Sequence, residues 1–516
     1  MTNKFIVSVL FLLSVNLCLS SVVIAGVNSQ SNSEKLYYNS KTTEHSININ
    51  GTKLKYNATP GRISLFEKVE SKEINITNMS YIAYSLNNDK STANRPITFL
   101  FNGGPGACSS DINFLGTGPK ICKINVPKEF TLEQKQKLID NPDTWLQFTD
   151  LVYIDAPGTG FSTVPNESCY KYAYGCEADA NCFAEFIYLF LKKYNRFESP
   201  YFIAGESYGG IRVPLTASNL TENYSLPPLG LIMLSPVLNY GLDANLENSG
   251  TVFSYLTAIP SMTIAAYTHN KLDEELQNKP LKDLITEVEK WVMNDYLLSI
   301  TRLNSLIKQE RDNLEKTLVK YTGLSNYIVS QYNYKIPLNV FIENLLHDKN
   351  AYLSQYDSRC YQKHPGSYEY SGGADPYFTN TSWASNGTIF QSFITDLEID
   401  TNIRYEVVNM TVADNWSYQN PNQAVYALEV ISTVYNLLTS NPSMKAVVGS
   451  GYYDLCIPYF GQKFNIEQTC IPDILKNNLI QQHYFSGHEI YSDCKARQEL
   501  FLNMKEFYAA MLKQNY

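Results

Sequence analysis

Four short apolar runs, each stopped by turn residues, punctuate the first half of the chain. Pro96-Ile-Thr-Phe-Leu-Phe101 ends at Asn102-Gly-Gly-Pro-Gly106, and Leu151-Val-Tyr-Ile154 ends at Asp155-Ala-Pro-Gly-Thr-Gly160. Tyr201-Phe-Ile-Ala204 ends at Gly205, and Gly230-Leu-Ile-Met-Leu234 ends at Ser235-Pro236. Continuous apolar runs of this length suit strands buried on both faces of a mainly parallel sheet. Before them, Arg62 to Val69 and Ser80 to Leu86 alternate with the period of antiparallel strands. Phe183, Phe186, Ile187, Phe190, Leu191 and Tyr194 share one helical face between the second and third runs, and core packing accounts for that stripe.

The pattern then changes. Residues from about 240 to 360 are rich in helix formers, and Leu276 to Lys320 reads as amphipathic helices. Ser371 to Glu406 is rich in Gly, Ser and Asn, with weak periodicity. The sheet signal resumes at Met444-Lys-Ala-Val-Val448 and near His483-Tyr-Phe485, and Leu500, Met504, Phe507 and Met511 form a final helical stripe. A sheet interrupted by helices and then resumed is an α/β core with a cap. The expected division is a leader at 1–25, an extension at 26–60, a core at 61–239, a mainly helical cap at 240–440 and the rest of the core at 441–516. A cap over the strand ends shapes substrate access.

Composition narrows the class. The 516 residues are 44% hydrophobic and 18% charged, an ordinary globular balance, and the formal net charge of -9 argues against a nucleic-acid partner. Phe5 to Ala25 is mostly apolar and ends in the small-residue pattern Val23-Ile24-Ala25, which reads as a secretory signal peptide, with a retained membrane anchor as the alternative because the run is long for a signal. No later run is apolar enough to span a bilayer, so no membrane insertion is expected once the leader is removed. Cleavage would remove Cys18 and leave nine of the ten cysteines. Cys108 and Cys122, and Cys456 and Cys470, form two local pairs of equal spacing, and export permits disulfides there. No cysteine set has zinc-ligand spacing with histidine, so neither a metal nor any other cofactor is expected.

Gly205-Glu206-Ser207-Tyr208-Gly209 lies between an apolar run and a candidate helix beginning at Gly210. Gly-x-Ser-x-Gly in that context is a nucleophile elbow, which exposes the serine hydroxyl at the tip of a sharp turn. An oxyanion hole should precede it. The glycine loop after Phe101 can aim backbone N–H groups at a developing oxyanion, with Gly104 as one donor and the N–H of Tyr208 as the other. An acid and a histidine should follow. Of the six histidines, His45 lies in the extension, and His269, His347 and His364 lie in or at the edge of the insertion. His483 begins an apolar segment, which leaves His488 in Ser486-Gly-His-Glu-Ile490. Asp454, beyond the run that ends Val447-Val-Gly-Ser-Gly451, is the acid that would orient His488.

These motifs together resemble the serine carboxypeptidase family, peptidase family S10: Asn102-Gly-Gly-Pro-Gly-Ala-Cys-Ser-Ser110, Asp155-x-Pro-Gly-Thr-Gly-Phe-Ser162, Gly205-Glu-Ser-Tyr-Gly-Gly210, Asp454 and Gly487-His488. Ser235-Pro236 and Asp357-Ser-Arg359 look more like the bacterial branch. The resemblance implies an α/β-hydrolase fold and release of C-terminal residues from peptides through an acyl-enzyme on Ser207. It also implies that Asn102, the N–H of Gly103 and Glu206 hold the substrate's free carboxylate. Glu206 must then share a proton with that carboxylate, which implies an acidic optimum. Two positions depart from the family. Gly116 stands where the family has a second glutamate in Glu-x-Gly-Pro, and Leu100 stands for its tryptophan. Members of the family also include acyltransferases, so an esterase or acyltransferase on the same triad is the alternative expectation.

Overall fold

The protein is described by a computed structural model over residues 36–87, 95–124, 136–240, 252–364, 375–418, 429–469 and 471–513. The expected leader, with Cys18, and also Cys470 lie outside those residues. Nine strands make one mixed sheet: β1 (Thr43–Ile49), β2 (Thr52–Val69), β3 (Lys72–Leu86), β4 (Ile97–Phe101), β5 (Asp150–Ile154), β6 (Tyr201–Glu206), β7 (Gly230–Leu234), β8 (Lys445–Gly451) and β9 (Leu479–Tyr484). Their order is β9-β8-β7-β6-β4-β5-β3-β2-β1. β4 to β9 pair in parallel, and β1, β2 and β3 add antiparallel strands at one side. Every residue of β4, β5, β6 and β7 is buried, which is why these segments read as unbroken apolar runs. This is the α/β-hydrolase architecture, a parallel-rich sheet with helices on both faces.

Helices α1 (Cys176–Lys193) and α2 (Gly209–Tyr224) pack on one face. The stripe Phe183, Phe186, Ile187, Phe190 and Leu191 enters that core. The C-terminal helix (Cys494–Lys513) covers the other face through Leu500, Met504, Phe507 and Met511. Between β7 and β8, the helices Phe253–Thr268, Leu281–Trp291 and Lys308–Thr322 gather a third apolar cluster of their own. That cluster reaches the core at Leu455, Tyr459 and Phe460, just beyond Asp454. No described helix is long and apolar enough to cross a membrane.

The structure differs from the sequence reading in four places. The stretch read as an extension to residue 60 holds β1 and the start of β2, whose alternation is hidden because only Thr43 and Ile47 of β1 are buried. The weakly periodic stretch after Ser371 contains a helix, Ser382–Thr395, seated by Ile389 and Phe393 in the core. Helix Ile431–Ser440, placed with the cap by the sequence, packs Val434, Leu437 and Leu438 into the same cluster as α1 and α2. Cys108 and Cys122 do not form a disulfide: both are free, buried thiols. Cys108 lies 3.1 Å from the Ser110 hydroxyl, whereas Cys122 ends a short strand (Lys120–Cys122) and bonds toward Ser385, so the two sulfurs face different neighbours. Burial pushes their thiols to about 12 and about 11. Cys456 is likewise free.

Candidate active site

The turn after β6 places Ser207 at φ 61, a left-handed conformation that a side-chain-bearing residue adopts only under constraint. The constraint is visible around it. Ser207 N–H donates to Leu234 O at 3.0 Å, and Gly210 N–H donates back to Ser207 O at 2.8 Å. A Cβ at Gly205 would stand 2.6 Å from Gly209 O, and one at Gly210 would stand 2.1 Å from Pro236 Cβ. Gly209, the second glycine of the motif, has ordinary room. The steric demand therefore falls on Gly205 and Gly210, and Ser235-Pro236 supplies the wall. Tyr208 buries its ring edge-on against Trp416 at 5.1 Å, leaving its backbone at the N-terminus of α2. That end of a helix favours developing negative charge.

Ser207 and His488 line one pocket with Asn102, Gly103, Gly104 and Glu206. Its remaining wall includes Tyr356, Phe378, Trp383, Val407 and Val408, all from the stretch expected to control access. His488 Nδ1 lies 2.7 Å from Asp454 Oδ2, and both groups are buried. Asp454 also accepts from Ile457 N–H at 2.9 Å. The loop of His488 is pinned by its own N–H to Tyr356 O at 2.7 Å and by Ser235 Oγ to His488 O at 2.6 Å. Arg359 bridges Asp357 at 2.6 Å and Asp493 at 2.8 Å, which assigns the Asp357-Ser-Arg359 motif to bracing this loop. Burial opposes a charge on His488, but Asp454 and Glu206 outweigh it and hold its pKa above the usual imidazole value. His483 packs between Tyr452 and Tyr459, and burial drives it down to about 4.

Glu206 is buried, and its pKa rises to about 7, driven by burial and opposed by His488 and the Tyr491 hydroxyl. Its Oε2 accepts from Asn102 Nδ2 and, at 2.9 Å, from the Tyr491 hydroxyl. Asn102 is itself fixed through Oδ1, which accepts from Ile112 N–H at 3.0 Å. Two further acids in the pocket escaped the sequence reading, Asp111 and Glu489. Glu489 accepts from the Tyr377 hydroxyl at 2.7 Å and shares a hydrogen bond with Asp111, and burial with those anions raises its pKa well above the usual range. The position of Glu489 next to His488 was the signal available for it.

Asp155 supports the glycine loop from behind. It accepts from Ser109 N–H at 3.0 Å and Ser80 Oγ at 2.8 Å, while Ser109 Oγ donates to Ile154 O. Burial raises its pKa from 3.8 to about 6 despite those donors. A raised folded pKa means that the folded state holds the proton longer, so its stabilising contribution is present below pH 3.8 and is lost as pH climbs through about 6. Asp155→Asn removes that titration. Urea unfolding at pH 4 and pH 7 should show wild type losing about 2 kcal/mol relative to the variant over the interval. His45 and His483, whose depressed pKa values act in the opposite sense, are common to both proteins and cancel. A constant difference would refute the assignment.

The serine carboxypeptidase family profile (Peptidase_S10) matches residues 69–497. Serine carboxypeptidase-like 2 of Arabidopsis thaliana is 29% identical over 170 residues, 31% of this chain and 37% of that protein. The pheromone-processing carboxypeptidase KEX1 of Candida tropicalis is 34% identical over 152 residues, 28% of this chain and 19% of that protein. The chain thus spans well under half the length of the curated relatives it matches. The crystal structure of KEX1(delta)p, a prohormone-processing carboxypeptidase from Saccharomyces cerevisiae, superposes with a TM-score of 0.51 at 18% identity, covering 87% of this chain and 91% of that one, a likeness of fold. With its profile matched across most of its length, the chain belongs to the serine carboxypeptidase family, peptidase S10.

Proposed function

We propose that the protein is an exported serine carboxypeptidase that acts best in acid. The observation that carries this reading is the joining of two arrangements in one pocket: the Asp454–His488 pair beside Ser207, and the buried Glu206–Asn102 pair a residue away. His488 takes the Ser207 hydroxyl proton as Oγ attacks the last peptide carbonyl, and Asp454 holds the imidazole tautomer and offsets its charge. Gly104 and Tyr208 N–H groups receive the oxyanion. His488 returns the proton to the leaving amine, and water then hydrolyses the acyl-enzyme by the same route. Asn102, Gly103 N–H and Glu206 hold the terminal carboxylate. The leader at 1–25 supports export, with residues 240–440 as the cap over the pocket.

Glu206 and His488 are linked electrostatically. The Glu206 anion adds to Asp454 in raising the pKa of His488, so ionising Glu206 leaves less of the neutral imidazole that acts as a base. A substrate carboxylate repels the Glu206 anion, so it selects the arrangement with Glu206 protonated and His488 neutral. N-blocked dipeptides with a free carboxylate should therefore be cleaved faster than their C-terminal amides. Their kcat/KM should fall as pH rises through about 7. The second reading is an esterase or acyltransferase, favoured by Gly116. Ester cleavage without peptide cleavage from pH 4 to 8 would establish it and overturn the first.

A further inference from the structure

The position that lacks the family's second glutamate is not empty space. Gly116 lies in a buried turn of π-helix, Ile112–Thr117, and a Cβ built on it would stand 2.6 Å from Tyr491 Cγ and 2.9 Å from Tyr491 Cβ. A side chain at 116 and the ring at 491 therefore compete for one volume. Tyr491 is fully buried in a short 3-10 turn (Ile490–Ser492), three residues past His488. Its hydroxyl accepts from Asn102 Nδ2 at 3.0 Å and donates to Glu206 Oε2 at 2.9 Å. Oε2 thus receives both neighbours, while Glu206 Oε1 is buried with no hydrogen-bond partner among the described residues.

We propose that Tyr491 replaces the missing glutamate as a positioning residue, fixing Oε2 of Glu206 as an acceptor so that Oε1 carries the proton presented to the substrate's carboxylate. The proposal deepens the carboxypeptidase reading and rests on it. The chemistry differs from that of two carboxyl groups. A buried phenol stays protonated wherever the enzyme works, so Tyr491 is a permanent donor. Two carboxyls would exchange a proton between them and leave either oxygen pair able to hold it. With Tyr491 in place, the clamp depends on one titrating group, Glu206. The groups that face Glu206 and Tyr491 are His488, Asp111, Glu489, Asn102 and the Cys456 thiol. The acids among them, and burial, favour the protonated Glu206, while His488, Asn102 and the phenol favour its anion.

Tyr491→Phe keeps the ring that fills the space beside Gly116 and removes only the donor. The test compares an N-blocked dipeptide with a free carboxylate, its C-terminal amide and a simple ester, each across pH 4 to 9. Wild type should lose kcat/KM for the free acid by about tenfold per pH unit on the alkaline side, the slope of one group. In Tyr491→Phe, KM for the free acid should rise by about tenfold or more with kcat little changed, since a hydrogen bond to an ionisable partner is lost. Amide and ester hydrolysis should be unaffected. The alkaline limb should move to higher pH, because the donor that stabilised the Glu206 anion is gone. The exchange Gly116→Glu with Tyr491→Gly, which also clears the 491 Cβ, should recover the KM, keep the tenfold slope because two carboxyls share the one proton that matters, and move the limb to higher pH. Equal losses on all three substrates, or an unchanged pH limb in Tyr491→Phe, would overturn the proposal alone. If Tyr491→Phe does not fold, the exchange variant decides: a free-acid KM left unrestored, or a limb at the wild-type pH, would overturn the proposal. A wild-type enzyme without preference for the free acid would overturn the carboxypeptidase reading, and this proposal with it.

Discussion

Ser207→Ala should lower kcat for peptide hydrolysis by a factor on the order of 10⁶, with the fold and substrate binding retained. The magnitude follows from the proposed role of Ser207 Oγ in forming the acyl bond; without it, the proposed oxyanion donors and binding contacts would still give about 10³–10⁴ over water. Retention of the fold follows from how the elbow is held. Its strain is borne by backbone bonds, Ser207 N–H to Leu234 O at 3.0 Å and Gly210 N–H to Ser207 O at 2.8 Å, which an alanine keeps. Alanine at φ 61 is no more strained than serine. Unfolding free energy should therefore shift by less than about 0.5 kcal/mol. KM should remain near its wild-type value, because Asn102, Gly103 and Glu206 are untouched. A fluorophosphonate should label wild type at Ser207 and leave the variant unlabelled. Full residual turnover, or labelling of another serine, would refute the assignment.

How much of this was legible in the chain depends on the range of the contact. The elbow, the glycine loop and the histidine loop are local events, in which a strand end and its turn residues lie within ten positions. Their order along the chain then stands in for their meeting in space. Glu206 was found by likeness to a family, and its depth of burial supplies the reason that its proton is held to about 7. The partner at 491 was hidden, since Tyr491 reaches Glu206 across 285 residues and carries no motif. An absence at Gly116 was visible, but an absence does not say what fills it. The cysteines show the converse error. Equal spacing suggested a bond, yet Cys108 and Cys122 turn to Ser110 and Ser385. β1 and the first part of β2 read as an extension because only Thr43 and Ile47 of β1 are buried, so burial writes no period into that strand.

The largest stability effect should come from Arg212, a residue that makes no contact with substrate in this reading. Its guanidinium Nε lies 2.6 Å from Asp179 Oδ2, with both side chains fully buried, and Nη1 donates to Asn102 O at 2.6 Å. Its plane rests on Phe183 at 4.5 Å and on Phe101 and Tyr208 at 5.2 and 5.3 Å. One side chain therefore ties α1, through Asp179, to the loop that carries Asn102 and Gly104 and to the elbow that carries Ser207. Burial raises the Asp179 pKa, and the Arg212 charge opposes that rise. Arg212→Met keeps much of the volume but leaves Asp179 buried and unpaired, which should cost about 3–5 kcal/mol. Combining it with Asp179→Leu removes the orphaned charge and should recover most of that loss. It should not recover all of it, because Asn102 O would still lack its donor, at about 1–3 kcal/mol. Chemical unfolding of the two single variants and the double variant measures the coupling directly. Additive losses would mean that the pair is not what holds these elements. The double variant also separates stability from alignment. If Arg212 sets the oxyanion loop against the elbow, a refolded double variant should still show reduced kcat on peptide and ester alike, because both reactions would pass through the proposed Gly104 and Tyr208 donors. Tyr491→Phe should spare the ester. The loop's register and the proposed carboxylate clamp would then be separable properties of one pocket, one held by a buried ion pair and the other by a phenol.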